Sequence, residues 1–111
     1  MLKGKVAVIT GGAKGIGRYI AHGFAREGAK VVISDIDVER MKKTEAELHD
    51  IGADVLARKT DVRVEEEVRA LMQETVARYG RIDILANNAG IVTHFGWGVP
   101  RWPLEIGRAH V

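Results

Sequence analysis

The chain has 111 residues, 46% hydrophobic and 29% charged, the balance of one small globular domain able to bury roughly 60–68% of its unfolded surface. It has no cysteine, which excludes a disulfide scaffold, a thiolate metal site and a cysteine nucleophile. Its 17 Lys and Arg against 15 Asp and Glu leave a charge of +2 with no dense basic face for nucleic acid, and no apolar run approaches the ~18 residues that span a bilayer.

Residues 1–5 hold no apolar signal-peptide core, so a cytoplasmic location is expected. Residues 6–9, Val-Ala-Val-Ile, are closed by Thr10. Such a short β-branched run fits a parallel strand buried on both faces. Gly11, Gly12, Gly15 and Gly17 follow. A helical pattern then places Ile16, Ile20 and Phe24 at steps of four, with Ala21 and Ala25 beside them and Gly28 as C-cap. Residues 30–34 read as a second strand, ended by Asp35. Asp37 is placed to cap a second helix over 38–49, with Met41, Thr44 and Leu48 on one face and Gly52 as its stop. Residues 54–59 read as a third strand. Residues 64–79 read as a third helix with the stripe Val68, Leu71, Met72, Thr75 and Val76, ended by Gly80. Residues 82–86 form the fourth strand, which stops at Asn87. The alternation predicts an α/β fold, the first half of a doubly wound parallel sheet with right-handed crossovers and order 3-2-1-4. It stops after the fourth strand, which leaves one edge bare.

Thr10-Gly11-Gly12-Ala13-Lys14-Gly15-Ile16-Gly17 joins the first strand to the first helix. Glycines here permit a tight turn and let a pyrophosphate approach the helix N-terminus, whose dipole and free N–H groups favour an anion. The spacing is G-x-x-x-G-x-G, not G-x-G-x-x-G, because Ile20 occupies the last position. Asp35 lies 18 residues after Gly17, where a carboxylate can accept both ribose hydroxyls of adenosine and repel a 2′-phosphate. Lys14 could meet such a phosphate or be solvated. A P-loop is excluded because Arg18 and Tyr19 stand where it needs Lys and Ser or Thr. His22, His49, His94 and His110 lack metal-ligand spacing, so no metal site is expected.

Three motifs now stand in order: Thr10-Gly11-x-x-x-Gly15-Ile16-Gly17, Asp61-Val62, and Asn87-Asn88-Ala89-Gly90. From residue 2 to about Val92 the chain closely resembles the classical short-chain dehydrogenase/reductase family. The resemblance implies a Rossmann fold and hydride transfer between NAD(P) and an alcohol or carbonyl substrate. It further implies that Gly11, Gly15 and Gly17, with the Ile16 backbone beside them, hold the pyrophosphate, Asp35 the adenine ribose, and Asp61 and Val62 the adenine, and Lys14 is counted with them as a cofactor-binding residue. Asn87, Ala89 and Gly90 would line the ribose and nicotinamide side, and Asn88 would tie the central strands. Asp35 favours NAD, with NADP left open by Lys14. A homo-oligomer is also implied for the parent enzyme.

The family's catalytic Tyr-x-x-x-Lys pair, with its upstream Ser, is absent: Tyr19 is followed four residues on by Gly23 and Tyr79 by Asp83. No catalytic residue is therefore assigned, and the chain is expected to be inactive alone. Residues 1–92 read as an incomplete cofactor domain, and 93–104, with Trp97, Pro100, Trp102 and Pro103, as an aromatic loop toward the substrate half. Residues 105–111 can be back-translated as GAG ATC GGA AGA GCA CAC GTC. That resembles a common sequencing adapter whose next triplet is a stop, so a non-native tail is expected there, with a genuine short tail as the rival. The competing functional reading is a non-catalytic dinucleotide-binding or regulatory module.

Overall fold

The computed structural model describes residues 1–13 and 15–87. Seven elements follow in order: β1 (Val6–Thr10), α1 (Gly15–Arg26), β2 (Lys30–Asp35), α2 (Val38–Asp50), β3 (Val55–Lys59), α3 (Glu65–Tyr79) and β4 (Ile84–Asn87). The strands form one parallel sheet in the order β3-β2-β1-β4, the order that the alternation predicts. Lys14, Asn88, Ala89, Gly90 and the expected segments over 93–104 and 105–111 lie outside the described residues.

Side chains on successive strand residues point to opposite faces, so each strand feeds two cores. Ala7, Ile9, Val31, Ile33, Val55 and Ala86 pack on one face with Ala21 of α1 and Met41 and Leu48 of α2. Val6, Val8, Val32, Leu56 and Leu85 pack on the other with Leu71 and Met72 of α3. This two-sided burial is why residues 6–9 of β1 and 31–33 of β2 are wholly apolar.

The helices end where glycine permits a left-handed backbone. Gly28, Gly52 and Gly80 have φ of 95°, 84° and 81°, and the Gly80 N–H donates to the Val76 carbonyl at 2.8 Å. Asp37 caps α2 as expected by accepting from the Arg40 N–H at 3.1 Å.

Two apolar stripes differ from expectation. In α1 the buried residues are Gly17 and Ala21, and Ile16 is 69% exposed. Small residues let this helix sit close to the sheet. Taking Gly17 as the centre of the contact places Ile16 about 100° away at helical pitch. Ile20 and Phe24 are half-buried, and with Leu2, Tyr19 and Ala86 they wall an apolar groove. In α3 the stripe runs through Leu71, Met72, Thr75 and half-buried Tyr79, while Val76 is 44% exposed.

The fourth strand starts at Ile84 rather than residue 82, because a side chain replaces a backbone partner. Asp83 Oδ2 accepts the Val6 N–H at 2.9 Å while the Asp83 N–H donates to the Val6 carbonyl at 2.9 Å. Burial pulls the Asp83 carboxyl upward, but the Arg81 guanidinium and the Val6 N–H together hold it below its ordinary range. No helix among the described residues is long and apolar enough to cross a membrane.

Candidate functional site

Register brings the chemistry-bearing residues to one edge. Thr10 pairs with Ser34 and Asn87, and Asp35 pairs with Lys59 just before residues 60–62. All four strands therefore end together. From β1 the chain first proceeds to β2 on one side and later returns to β4 on the other, so the order reverses between β1 and β4. Open α/β sheets bind ligands at the carboxyl ends beside such a reversal.

The glycine loop leaves β1 under tight constraint. The Gly11 and Gly12 N–H groups both donate to the Ser34 carbonyl, at 2.7 and 3.1 Å. A Cβ on Gly12 would stand 2.9 Å from Ile33 Cγ2 and 3.3 Å from the Ile9 carbonyl oxygen, so no larger residue fits there. Gly11 and Gly15 take φ of 72° and 60°, which a side chain would strain. A Cβ on Gly15 would meet nothing within 4 Å, so the loop presents backbone to open space at the start of α1. That first turn holds no acidic residue of its own, and the positive end of the helix dipole favours an anion there. Ile16 is exposed beside it and Gly17 is buried against the sheet. The Thr10 hydroxyl donates to Asn87 Oδ1 at 2.9 Å and ties the loop's first residue to the end of β4.

Asp35 closes the loop from the side of β2. Its Oδ2 accepts the Ala13 N–H at 3.1 Å and its Oδ1 accepts the Asp37 N–H at 3.0 Å. Each carboxylate oxygen has a second lone pair, so two further donors can be taken. Ile36, the next residue, is 56% exposed and presents an apolar surface at the same edge. Arg18, just past the glycines, is drawn away onto α2. Its Nε and His22 Nε2 both lie 2.9 Å from Glu47 Oε1, and Arg18, then His22, hold the Glu47 carboxyl below its usual range.

Asp61 and Val62 follow β3 and are half-buried. Asp61 Oδ1 accepts the Arg63 N–H and Nε–H at 2.9 and 3.0 Å, and Oδ2 accepts from the far guanidinium nitrogen at 3.0 Å. These bonds bring the Asp61 pKa down to about 2. The Asp61 N–H donates to Glu67 Oε1 at 2.8 Å, so α3 holds this loop.

The structure thus brings Gly11, Gly15, Ile16, Gly17, Asp35, Asp61, Val62 and Asn87 to one edge. Lys14, Ala89 and Gly90 lie outside the described residues. Sequence reasoning placed Gly12 in the loop without naming it a site residue, and it missed Ile36 and Glu67, which carried no signal. The two tyrosines stand elsewhere. Tyr19 is exposed on α1. Tyr79 lies at the amino end of the sheet, where it donates to Asp54 Oδ1 at 2.7 Å. Burial, then Asp54, raises the Tyr79 pKa, the opposite of what a proton-exchanging phenol needs. Among the described residues no cluster of His, Asp or Glu could hold a metal ion.

Residues 5–100 match the family profile described as short chain dehydrogenase. An uncharacterized oxidoreductase of Thermotoga maritima is 48% identical over 93 residues, 84% of this chain and 36% of that protein. A short chain dehydrogenase/reductase from Burkholderia phymatum, solved in complex with NAD, superposes with a TM-score of 0.79 at 34% identity over 92% of this chain and 37% of its own. A metagenomic short-chain oxidoreductase in complex with NADP gives 0.77 at 37% identity over 81% and 41%. The chain spans about a third of the length of the curated relatives it matches. With its strand order, its glycine loop and the acid that closes it, this chain belongs to the short-chain dehydrogenase family.

Proposed function

We propose that this chain is the cofactor-binding part of an oxidoreductase that passes a hydride between a nicotinamide dinucleotide and an alcohol or carbonyl compound. The carrying observation is the Asp35 carboxylate, fixed at the end of β2 against the glycine loop. The residues fit the group. Gly12 lets the loop pack against Ile33, Gly15 presents backbone to open space, and the start of α1, with no acidic residue in its first turn, offers its dipole to a pyrophosphate. Gly11, Gly15 and Gly17, with the Ile16 backbone beside them, would hold the pyrophosphate, and Lys14 would lie in the same loop. Asp35 would accept the adenine ribose hydroxyls, Asp61 and Val62 would border the adenine, and Asn87, Ala89 and Gly90 would flank the nicotinamide side. NAD is favoured over NADP because Asp35 repels a 2′-phosphate more directly than Lys14 attracts one. The bound dinucleotide supplies the hydride chemistry. Two solved relatives, one in complex with NAD and one with NADP, support the class of ligand. The complete enzyme is proposed to be a cytoplasmic homo-oligomer.

Calorimetric titration of wild type and Asp35→Ala with both dinucleotides tests the reading. NAD is expected to weaken about tenfold, from lost charge-assisted hydrogen bonds, while NADP gains relative to it. Equal or better NAD binding by the variant would sink the assignment. The 111-residue chain holds no Tyr-x-x-x-Lys pair, and loss of a positioned proton-transfer group costs about 10²–10⁴ in rate. Reduced-nicotinamide absorbance should therefore show no substrate-dependent change with this chain alone.

A further inference from the structure

The Ala13 peptide, in the middle of the glycine loop, is held from both ends. Its N–H donates to Asp35 Oδ2 at 3.1 Å, and its carbonyl accepts the Thr44 hydroxyl at 2.9 Å. Thr44 comes from the middle of α2 and is 1% exposed. Its neighbours on the buried face of that helix, Met41 and Leu48, are apolar. A β-branched hydroxyl residue is a poor helix former. Valine would fill the same volume without burying a polar group. The packing of α2 thus gives no reason for an oxygen at this position, whereas the loop does: the Ala13 side chain is buried in the same core, so its carbonyl needs a protein partner.

We propose that Thr44 is a positioning residue for dinucleotide binding, which acts through Ala13 to hold the glycine loop in its ligand-ready shape. The proposal rests on the reading of this loop as a pyrophosphate site. Without the hydroxyl, the buried Ala13 carbonyl loses its Thr44 donor, and the loop relieves this by turning toward water. Binding must then reverse the shift, so affinity falls by the fraction of molecules already in the clamped shape. The loss falls on the pyrophosphate and is common to NAD and NADP. Asp35 differs in this respect, because its side chain also discriminates at the ribose.

The test compares wild type, Thr44→Val and Thr44→Ser in the 111-residue chain, titrated with NAD, NADP, ADP and adenosine. Amide exchange at Ala13 and Leu48 is followed in the free proteins. Thr44→Val is expected to weaken NAD, NADP and ADP alike, by about tenfold for one buried carbonyl that loses its donor. Adenosine binding falls less than ADP binding, Ala13 exchange quickens and Leu48 exchange does not. Thr44→Ser, which keeps the hydroxyl, restores wild-type binding and protection. Undiminished ADP binding by Thr44→Val overturns the proposal. So does an equal loss for adenosine and ADP, which marks general loosening of the fold, or a failure of serine to rescue. If wild type takes up neither NAD nor ADP, the dinucleotide reading falls and the proposal falls with it. If wild type binds both and Thr44→Val matches it, the proposal alone is overturned.

Discussion

Asp61 accepts three hydrogen bonds from one neighbour, Arg63, and its pKa falls to about 2 from the ordinary 3.8. A carboxylate depressed in the folded state contributes stability above its unfolded pKa. That contribution is complete at neutral pH and is lost as the pH falls from about 4 through about 2. Arg63 is largely exposed, so the energy is small and the titration is the sensitive readout. Arg63→Ala is expected to return the Asp61 pKa toward 3.8, measured by carboxyl chemical shift against pH. A value still near 2 would mean that Arg63 is not the cause. That an acid ends β2 was legible in the sequence, because Asp35 closes a β-branched run. Its second bond, to Ala13, was not legible, nor was the partner role of Thr44. Both depend on a backbone group 22 or 31 residues away, and no spacing rule reaches that far.

The elements follow from short-range chemistry, which is why their order and kind could be read so directly. Gly28, Gly52 and Gly80 mark the helix ends because only glycine relaxes at their positive φ. Asp37 starts α2 by accepting a backbone N–H. Val64 has no side-chain bond to give α3, and that helix accordingly begins one residue later than its apolar pattern suggests. The burial of each helix was less legible. Apolar spacing alone marks Ile16 as inward, but the close approach of α1 is set by Gly17 and Ala21, which carry almost no hydrophobic signal. On α3, Leu71 is fully buried while Val76 is half in water. Leu71→Ala should therefore cost about 2–5 kcal/mol, and Val76→Ser should stay within about 0.5 kcal/mol. Chemical denaturation of both variants decides the point. Equal losses would mean that the sheet-facing stripe is misplaced.

Across the whole molecule, the two ends of the sheet have different work. The amino end is tied by Asp83 to Val6 and by Tyr79 to Asp54, contacts that join elements. The carboxyl end gathers glycine backbone, the N-terminus of α1 and the Asp35 carboxylate around the reversal between β1 and β4. Strand order was legible because parallel crossovers permit few alternatives. The most direct test of the account is a heteronuclear NMR titration of the isotope-labelled chain with NAD. The account predicts shifts centred on the amides of Gly11, Ala13, Gly15, Gly17 and Asp35, with Asp54, Tyr79 and Asp83 unmoved. Saturating NAD that leaves the glycine-loop amides in place, or shifts only the amino end of the sheet, would contradict it.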